Sequence, residues 1–216
     1  MTRRPVPESL PHHRYPADTW RFVEHGFGRG DQALNETRFA IGNGYLGLRG
    51  DHDEGRGGHD PGTYINGFHE TWSIHHAEDA FGFATIGQTI VNVPDPKALS
   101  LYVDDEPFDL ELADLDHYER VLDLRAGTVT RDVTWRTPSG KLVRIRSERL
   151  VSLVHRHIAA IRYEVTMERG SAPVLVSSRL FNRQDADFHV ASTGLPDDGD
   201  IIVERDPRRH RSFNHR

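Results

Sequence analysis

The stretch Glu36-Thr37-Arg38-Phe39-Ala40-Ile41-Gly42-Asn43-Gly44-Tyr45-Leu46-Gly47-Leu48-Arg49-Gly50 decides how this chain is read. Gly42, Gly44 and Gly47 satisfy G-x-G-x-x-G, the pattern of a dinucleotide-binding turn. Such a turn works only where a strand precedes the glycines and a helix opens on the last of them, so that free backbone N–H groups face a pyrophosphate. Here Leu48, Arg49, Gly50, Asp51, His52 and Asp53 follow, then Gly55, Gly57 and Gly58, a run in which no helix can start. Phe39 and Ile41 alternate before the turn, Tyr45 and Leu46 follow it, and Asn43-Gly44 is expected to supply the positive φ angles of a tight hairpin. The stretch therefore reads as a β-hairpin with a glycine-rich exit.

Working outward, short alternating segments separated by turn residues mark an antiparallel β architecture. Ile86 to Asn92 alternates before Pro94-Asp95-Pro96 ends the strand. Leu99, Leu101 and Val103 lead into Asp104-Asp105-Glu106-Pro107, with Phe108 and Leu110 on the return of a second hairpin. Val129, Arg131, Val133 and Trp135 share one face of a strand, Thr137-Pro138-Ser139-Gly140 reverses the chain, and Val143 and Ile145 come back on the partner. Further strands are expected at Ile158 to Val165, Val174 to Leu180 and Phe188 to Val190. Only Leu110 to Val121 has helical spacing, through Leu112, Leu115 and Tyr118, and it reads equally as an irregular crossover. The expectation is an all-β fold, an antiparallel β-sandwich with few short helices, over residues 19–216, preceded by a loosely ordered segment at 1–18.

Composition narrows the function. The chain has 216 residues, 36% of them hydrophobic, and a mean hydropathy of -0.62, enough for one sizeable domain with a core. A net charge of -6 argues against a nucleic-acid footprint, and the one basic cluster, Arg205, Arg208, Arg209, Arg211 and Arg216 with His210 and His215, reads as a solvated terminus. No apolar run is long enough to span a membrane, and no cysteine is present, so cytoplasmic residence is the default expectation. Fourteen histidines invite a metal, yet His69-Glu70 is followed by His75 and His76, which misses the i, i+4 spacing of a helical zinc pair. His155 and His157 could share a strand face but lack an evident third ligand. Neither a metal nor another cofactor is expected. Without a cysteine or a G-x-S-x-G elbow, nucleophilic catalysis finds no support. Carboxylates such as Asp51, Asp53, Glu70, Glu78 and Asp79 read as surface or turn acids.

Tyr64, Phe68 and Trp72, interleaved with Asn66, His69 and Glu70, offer what a sugar ring needs: aromatic faces for its C–H groups, and paired donors and acceptors for its hydroxyls. The competing reading places Tyr64 and Phe68 in the core.

Several ordered pieces of the chain resemble the N-terminal signature of glycoside hydrolase family 65. They are Glu36, Phe39, Asn43-Gly44, Gly47 and Arg49-Gly50; Pro61 to Gly67; Leu122 to Gly127; Thr137 to Lys141; and Arg149 to Ser152. The family comprises maltose, trehalose and kojibiose phosphorylases and hydrolase relatives. The resemblance implies an N-terminal super-sandwich that precedes a helical linker and an (α/α)6 barrel, and nothing in this chain resembles that barrel. It implies phosphorolysis of an α-linked glucosyl disaccharide with inversion, inorganic phosphate being co-substrate of the parent enzyme and β-glucose 1-phosphate its product. No residue here is expected to be catalytic, and the chain alone is expected to be inactive. Glu36, Asn43, Arg49, Tyr64, Asn66, His69, Glu70 and Trp72 are the candidates for the rim of the substrate pocket or the barrel interface. The end of the chain resembles an internal part of that sandwich, so a truncated fragment with an uncovered sheet edge or apolar face, prone to self-association, is expected. The expected partners are the disaccharide and phosphate of the parent enzyme, the missing barrel and a homodimer mate, but neither nucleic acid nor membrane. A stand-alone carbohydrate-binding or oligomerisation β-sandwich without catalysis is the alternative.

Overall fold

Period-two burial organises the chain. Along one strand, Val129, Arg131, Val133 and Trp135 point inward while Thr130, Asp132 and Thr134 reach toward solvent. The computed structural model describes residues 10–54, 61–78 and 80–181. Its strands are β1 (Arg21–His25), β2 (Ile41–Gly42), β3 (Leu46–Leu48), β4 (Thr63–Ser73), β5 (Ile86–Asn92), β6 (Asp95–Val103), β7 (Glu106–Pro107), β8 (Asp114–Asp123), β9 (Thr128–Arg136), β10 (Leu142–Val151), β11 (Ala159–Arg169) and β12 (Val174–Phe181). A single α-helix among the described residues, α1 (Gln32–Arg38), follows a 3-10 turn at Arg29–Asp31.

Three antiparallel sheets result. One has five strands in the order β1-β8-β9-β10-β11, a second has three in the order β12-β6-β7, and the third has four in the order β2-β3-β4-β5. The first two form the sandwich. Leu101 and Val103 on β6, with Phe108 and Leu110 beyond β7, pack on Tyr118 of β8, Val133 and Trp135 of β9, and Val143 and Ile145 of β10. Val103, Val133, Val143 and Ile145 have no measurable exposure, so the centre of the core is dry and aliphatic.

The expected hairpins form. β9 and β10 are joined through Thr137 to Lys141, where Gly140 takes φ +82° and the Thr137 N–H donates to the Lys141 carbonyl at 2.9 Å. Asp104 and Asp105, with φ of 51° and 64°, make the turn between β6 and β7, although the returning strand is only two residues long. The β2–β3 hairpin also forms, by different chemistry from that expected. Gly44 alone takes a positive φ, +83°, whereas Asn43 works through its side chain, whose Oδ1 accepts from the Tyr45 and Leu46 N–H groups at 2.9 and 2.8 Å.

The candidate helix at Leu110 to Val121 is instead one turn followed by a strand. The Leu112 and Ala113 N–H groups donate to the Asp109 carbonyl, and β8 then runs between β1 and β9. Leu112 is exposed, so its helical spacing from Leu115 carries no packing, and the ladders on both sides of β8 prevail. The helix lies elsewhere: α1 buries Gln32, Asn35 and Glu36, a polar face that apolar periodicity cannot reveal. Within the segment 1–18, Tyr15 is buried and Arg14 pairs with Glu24 at 2.5 Å. The strand expected at Phe188 to Val190 and the basic cluster at the C-terminus lie outside the described residues.

Candidate functional site

The inward face of the five-stranded sheet changes character along its strands. Where Val133, Trp135, Val143 and Ile145 end, Arg131 on β9, Ser147 and Arg149 on β10, and Arg120 on β8 continue the same face, all buried. Arg131 lies opposite both Arg120 and Ser147 in the strand register. Three guanidiniums side by side in a protein interior each cost several kcal/mol of lost hydration unless they are paired.

The exit of the β2–β3 hairpin provides the pairing. Gly50 slips under α1: its N–H donates to the Glu36 carbonyl at 2.6 Å, and a side chain there would come within 2.7 Å of Phe39. The chain then threads Asp51-His52-Asp53-Glu54 beneath the sheet. Arg149 Nε donates to Asp53 Oδ1 at 2.6 Å, and Arg131 makes a two-pronged contact with Glu54 at 2.6 and 2.5 Å while lying 3.3 Å from Asp53 Oδ2. Arg120 has a different environment: it donates to the Gly50 carbonyl at 2.5 Å and lies over the Phe39 ring, 4.4 Å from its centroid. Nearby, Lys97 Nζ donates to Asp95 at 2.7 Å, Thr63 Oγ1 at 2.8 Å and the Gly62 carbonyl at 3.1 Å, and lies 3.6 Å from Asp51. A second buried node forms at Glu24, which accepts from Arg14, from Asn35 at 2.6 Å and from Tyr118 at 3.3 Å.

These environments set the protonation states. Burial alone would raise the Asp53 carboxyl, but Arg149 and Arg131 outweigh it and hold Asp53 well below the usual carboxylate range. Asp51, more weakly compensated by Lys97 and Arg149, is pushed up by burial. His52 is held well below the ordinary histidine value by burial and then by Arg120 and Arg131, so its ring is neutral. Part of the His52 residue surface reaches solvent, but its Nδ1 is enclosed.

The arrangement is a structural joint and not a sugar site. The cavity among these groups measures about 10 Å³, whereas pockets for organic ligands run to hundreds of Å³. Asp51 and Asp53 are turned into that cavity and toward cations, so neither faces a site for a glycosidic bond.

The residues singled out from sequence fall into three groups. Glu36 is buried on α1, and Arg49 Nη2 reaches it at 3.5 Å and Thr37 Oγ1 at 3.3 Å, tying helix to hairpin exit. Asn43 and Asn66 meet at the hairpin tip. Asn66 Nδ2 donates to the Gly44 carbonyl at 3.2 Å, while Asn43 Nδ2 donates to the carbonyls of Ser152 at 2.6 Å and Arg156 at 3.1 Å. Tyr45 joins that junction, with His157 edge-on to its ring and Arg156 above it. Tyr64, His69, Glu70 and Trp72 lie along β4; Tyr64 packs on Gly62 at one end and Trp72 on Gly87 of β5 at the other, so the two rings share no pocket. Among the described residues, no group of three or more His, Asp or Glu side chains is placed to hold a metal, and no helix is long and apolar enough to cross a membrane.

Sequence reasoning missed Arg120, Arg149, Lys97 and Glu54. The signal was Arg131 itself, a charge on the face shared by Val129, Val133 and Trp135. An inward arginine calls for a carboxylate, and the run Asp51 to Glu54 supplies Asp53 and Glu54 to Arg149 and Arg131.

The fold and its buried joint define an all-β sandwich with a charged core, and comparison with known proteins gives its family. Residues 22–214 match the glycosyl hydrolase family 65 N-terminal domain, and the chain belongs to that family. It is 44% identical over 171 residues to an uncharacterized glycosyl hydrolase of Mycobacterium tuberculosis, an alignment covering 79% of this chain and 22% of that protein. It is 44% identical over 153 residues to the α,α-trehalose phosphorylase of Thermoanaerobacter brockii, covering 69% and 20% respectively, and 27% identical over 159 residues to the kojibiose phosphorylase of Halothermothrix orenii, covering 74% and 19%. A solved structure from the human microbiome, assigned as a kojibiose phosphorylase, superposes with a TM-score of 0.60 at 28% identity, over 70% of this chain and 20% of that one. The chain thus spans about a fifth of the length of these relatives.

Proposed function

We propose that this chain is the accessory N-terminal sandwich of an enzyme that phosphorolyses an α-linked glucosyl disaccharide, with trehalose the favoured substrate. The observation that carries this reading is the 44% identity to the trehalose phosphorylase, against 27% to the kojibiose phosphorylase. The reaction would proceed with inversion: a glutamic acid protonates the leaving oxygen while phosphate attacks the anomeric carbon from the opposite face, releasing β-glucose 1-phosphate. Both groups would act in a catalytic barrel and not in the sandwich. A cysteine-free sequence fits a cytoplasmic setting, where phosphate is at hand.

In this reading the sandwich acts as a rigid platform. Asn43 locks the hairpin tip to loop 152–158 while Asn66 ties the same tip to β4, and the loop presents Leu153 and Val154, 82% and 85% exposed, beside that lock. Two adjacent exposed aliphatics on a loop held this firmly are suited to a contact with the barrel or with a second copy. The buried carboxylates of Asp53, Glu54 and Asp95 are consumed by arginines and lysine, which favours a supporting role over a catalytic one.

The test is release of glucose and glucose 1-phosphate from trehalose, kojibiose, maltose and nigerose, with and without phosphate. The 216-residue chain alone is expected to turn over none of them, and turnover would overturn the accessory role. A Thermoanaerobacter brockii phosphorylase carrying this chain in place of its matching segment is expected to retain trehalose phosphorolysis. A folded but inactive chimera would count against the assignment.

A further inference from the structure

We infer that the cavity beneath the five-stranded sheet is a built site for a single internal water molecule, which joins the Asp51 to Glu54 segment to the strands above it. The cavity is lined by Asp51, His52, Asp53, Arg120, Arg131 and Arg149, with Val129 and Ser147 completing the wall. Five enclosed polar atoms of these residues make no hydrogen bond among the described residues: both carboxylate oxygens of Asp51, His52 Nδ1, Arg120 Nη1 and Arg131 Nε. Buried polar groups in folded proteins are nearly always satisfied, and one water, with two donors and two acceptors, can serve four of these five, the two Asp51 oxygens, Arg120 Nη1 and Arg131 Nε.

The chemistry of the orphans selects the ligand. Asp51 needs a donor, whereas Arg120 and Arg131 need an acceptor, and water is both. A halide or other anion would satisfy the guanidiniums but face the Asp51 carboxylate. It would also unbalance a cluster in which Lys97, Arg120, Arg131 and Arg149 already meet Asp51, Asp53, Glu54 and Asp95. A metal cation would meet the arginines. The size agrees: about 10 Å³ accommodates roughly one water and nothing larger.

The test is a high-resolution crystal structure of the chain, with a second crystal soaked in bromide. The expected result is one oxygen-sized peak within hydrogen-bonding reach of Asp51 and at least one of the two arginines, with no anomalous bromide signal there. A cavity without density, or an anomalous peak within it, would overturn the inference. In solution, oxygen-17 relaxation dispersion counts long-lived internal waters without any variant of the charged groups. Val129→Ile, which pushes a methyl group into the cavity wall, is expected to lower that count by one, and an unchanged count would sink the assignment.

Discussion

Arg149 and Asp53 stand 96 residues apart in the chain, yet the guanidinium Nε of one lies 2.6 Å from the carboxylate Oδ1 of the other. Both are buried, so the pair fixes the hairpin exit to the C-terminal part of β10 and isolates two opposite charges from water.

Removing one partner of such a pair leaves the other charged and uncompensated. Arg149→Met or Asp53→Leu is each expected to cost about 3–5 kcal/mol, and the double variant much less than the sum. Urea unfolding checks this through the midpoint, provided the m-value is unchanged. Additive losses would show that the two side chains act independently.

The same cluster makes stability depend on pH. The folded-state value of His52 is depressed, so its contribution is present above the unfolded value near 6.5 and declines as pH falls below it, because the unfolded chain takes up the proton first. Asp53 is also depressed, and its contribution is present above the unfolded value near 3.9 and is lost progressively as pH falls below it. Asp51, raised by burial, works in the opposite sense, favouring the fold as it protonates. Melting temperature is expected to fall between about pH 7 and pH 5, and His52→Gln to flatten that slope. An identical slope in the variant would remove His52 from the account.

Asn43 is expected to hold loop 152–158 in place. Asn43→Ala deletes the donor to the Ser152 and Arg156 carbonyls and the acceptor for two hairpin N–H groups, a loss of about 1–3 kcal/mol. Asn43→Asp keeps the acceptor but not the donor. Hydrogen exchange should therefore quicken at Tyr45 and Leu46 only in the alanine variant, and throughout the loop in both.

Two glycines should respond in opposite directions. At Gly50 a Cβ would press on the Phe39 backbone and Cβ at 2.7 Å, so Gly50→Ala is expected to destabilise by about 1–3 kcal/mol. At Gly30 nothing lies within 4 Å and the backbone is not left-handed, so Gly30→Ala is expected to be neutral or to stabilise by up to about 1 kcal/mol. Thermal melts of the two variants distinguish them directly.

The strands were legible because their signal is local. Val129 to Trp135 and Val143 to Ile145 alternate cleanly, and Thr137 to Gly140 is turn chemistry that acts within four residues. The helix was not, since α1 turns Gln32, Asn35 and Glu36 inward, and a polar face has no apolar period to detect. Leu110 to Val121 misled for the converse reason: Leu112 and Leu115 fall at helical spacing by accident, while pairing with β9, the next strand, and with β1, far away in sequence, decides the outcome. The charged core was half visible. Arg131 stood on the core face in the sequence pattern, but its partner Glu54 lies 77 residues away, and no local rule pairs them. Among the sugar-site candidates, Tyr64 and Trp72 were chosen for chemistry that suits a pyranose, and strand geometry sets them at opposite ends of β4.

The order of synthesis gives the buried joint a further consequence. Asp51 to Glu54 leave the ribosome well before Arg120, Arg131 and Arg149, and β1 must wait for β8 before it has a neighbour. The nascent chain therefore carries its acidic run in water until the last arginine emerges, and only then can the hairpin exit be drawn under the sheet. Closure across such separations is slow, on the order of milliseconds to seconds for all-β domains. The charges of the core are fully paired only once β10, which carries Arg149, has joined the sheet.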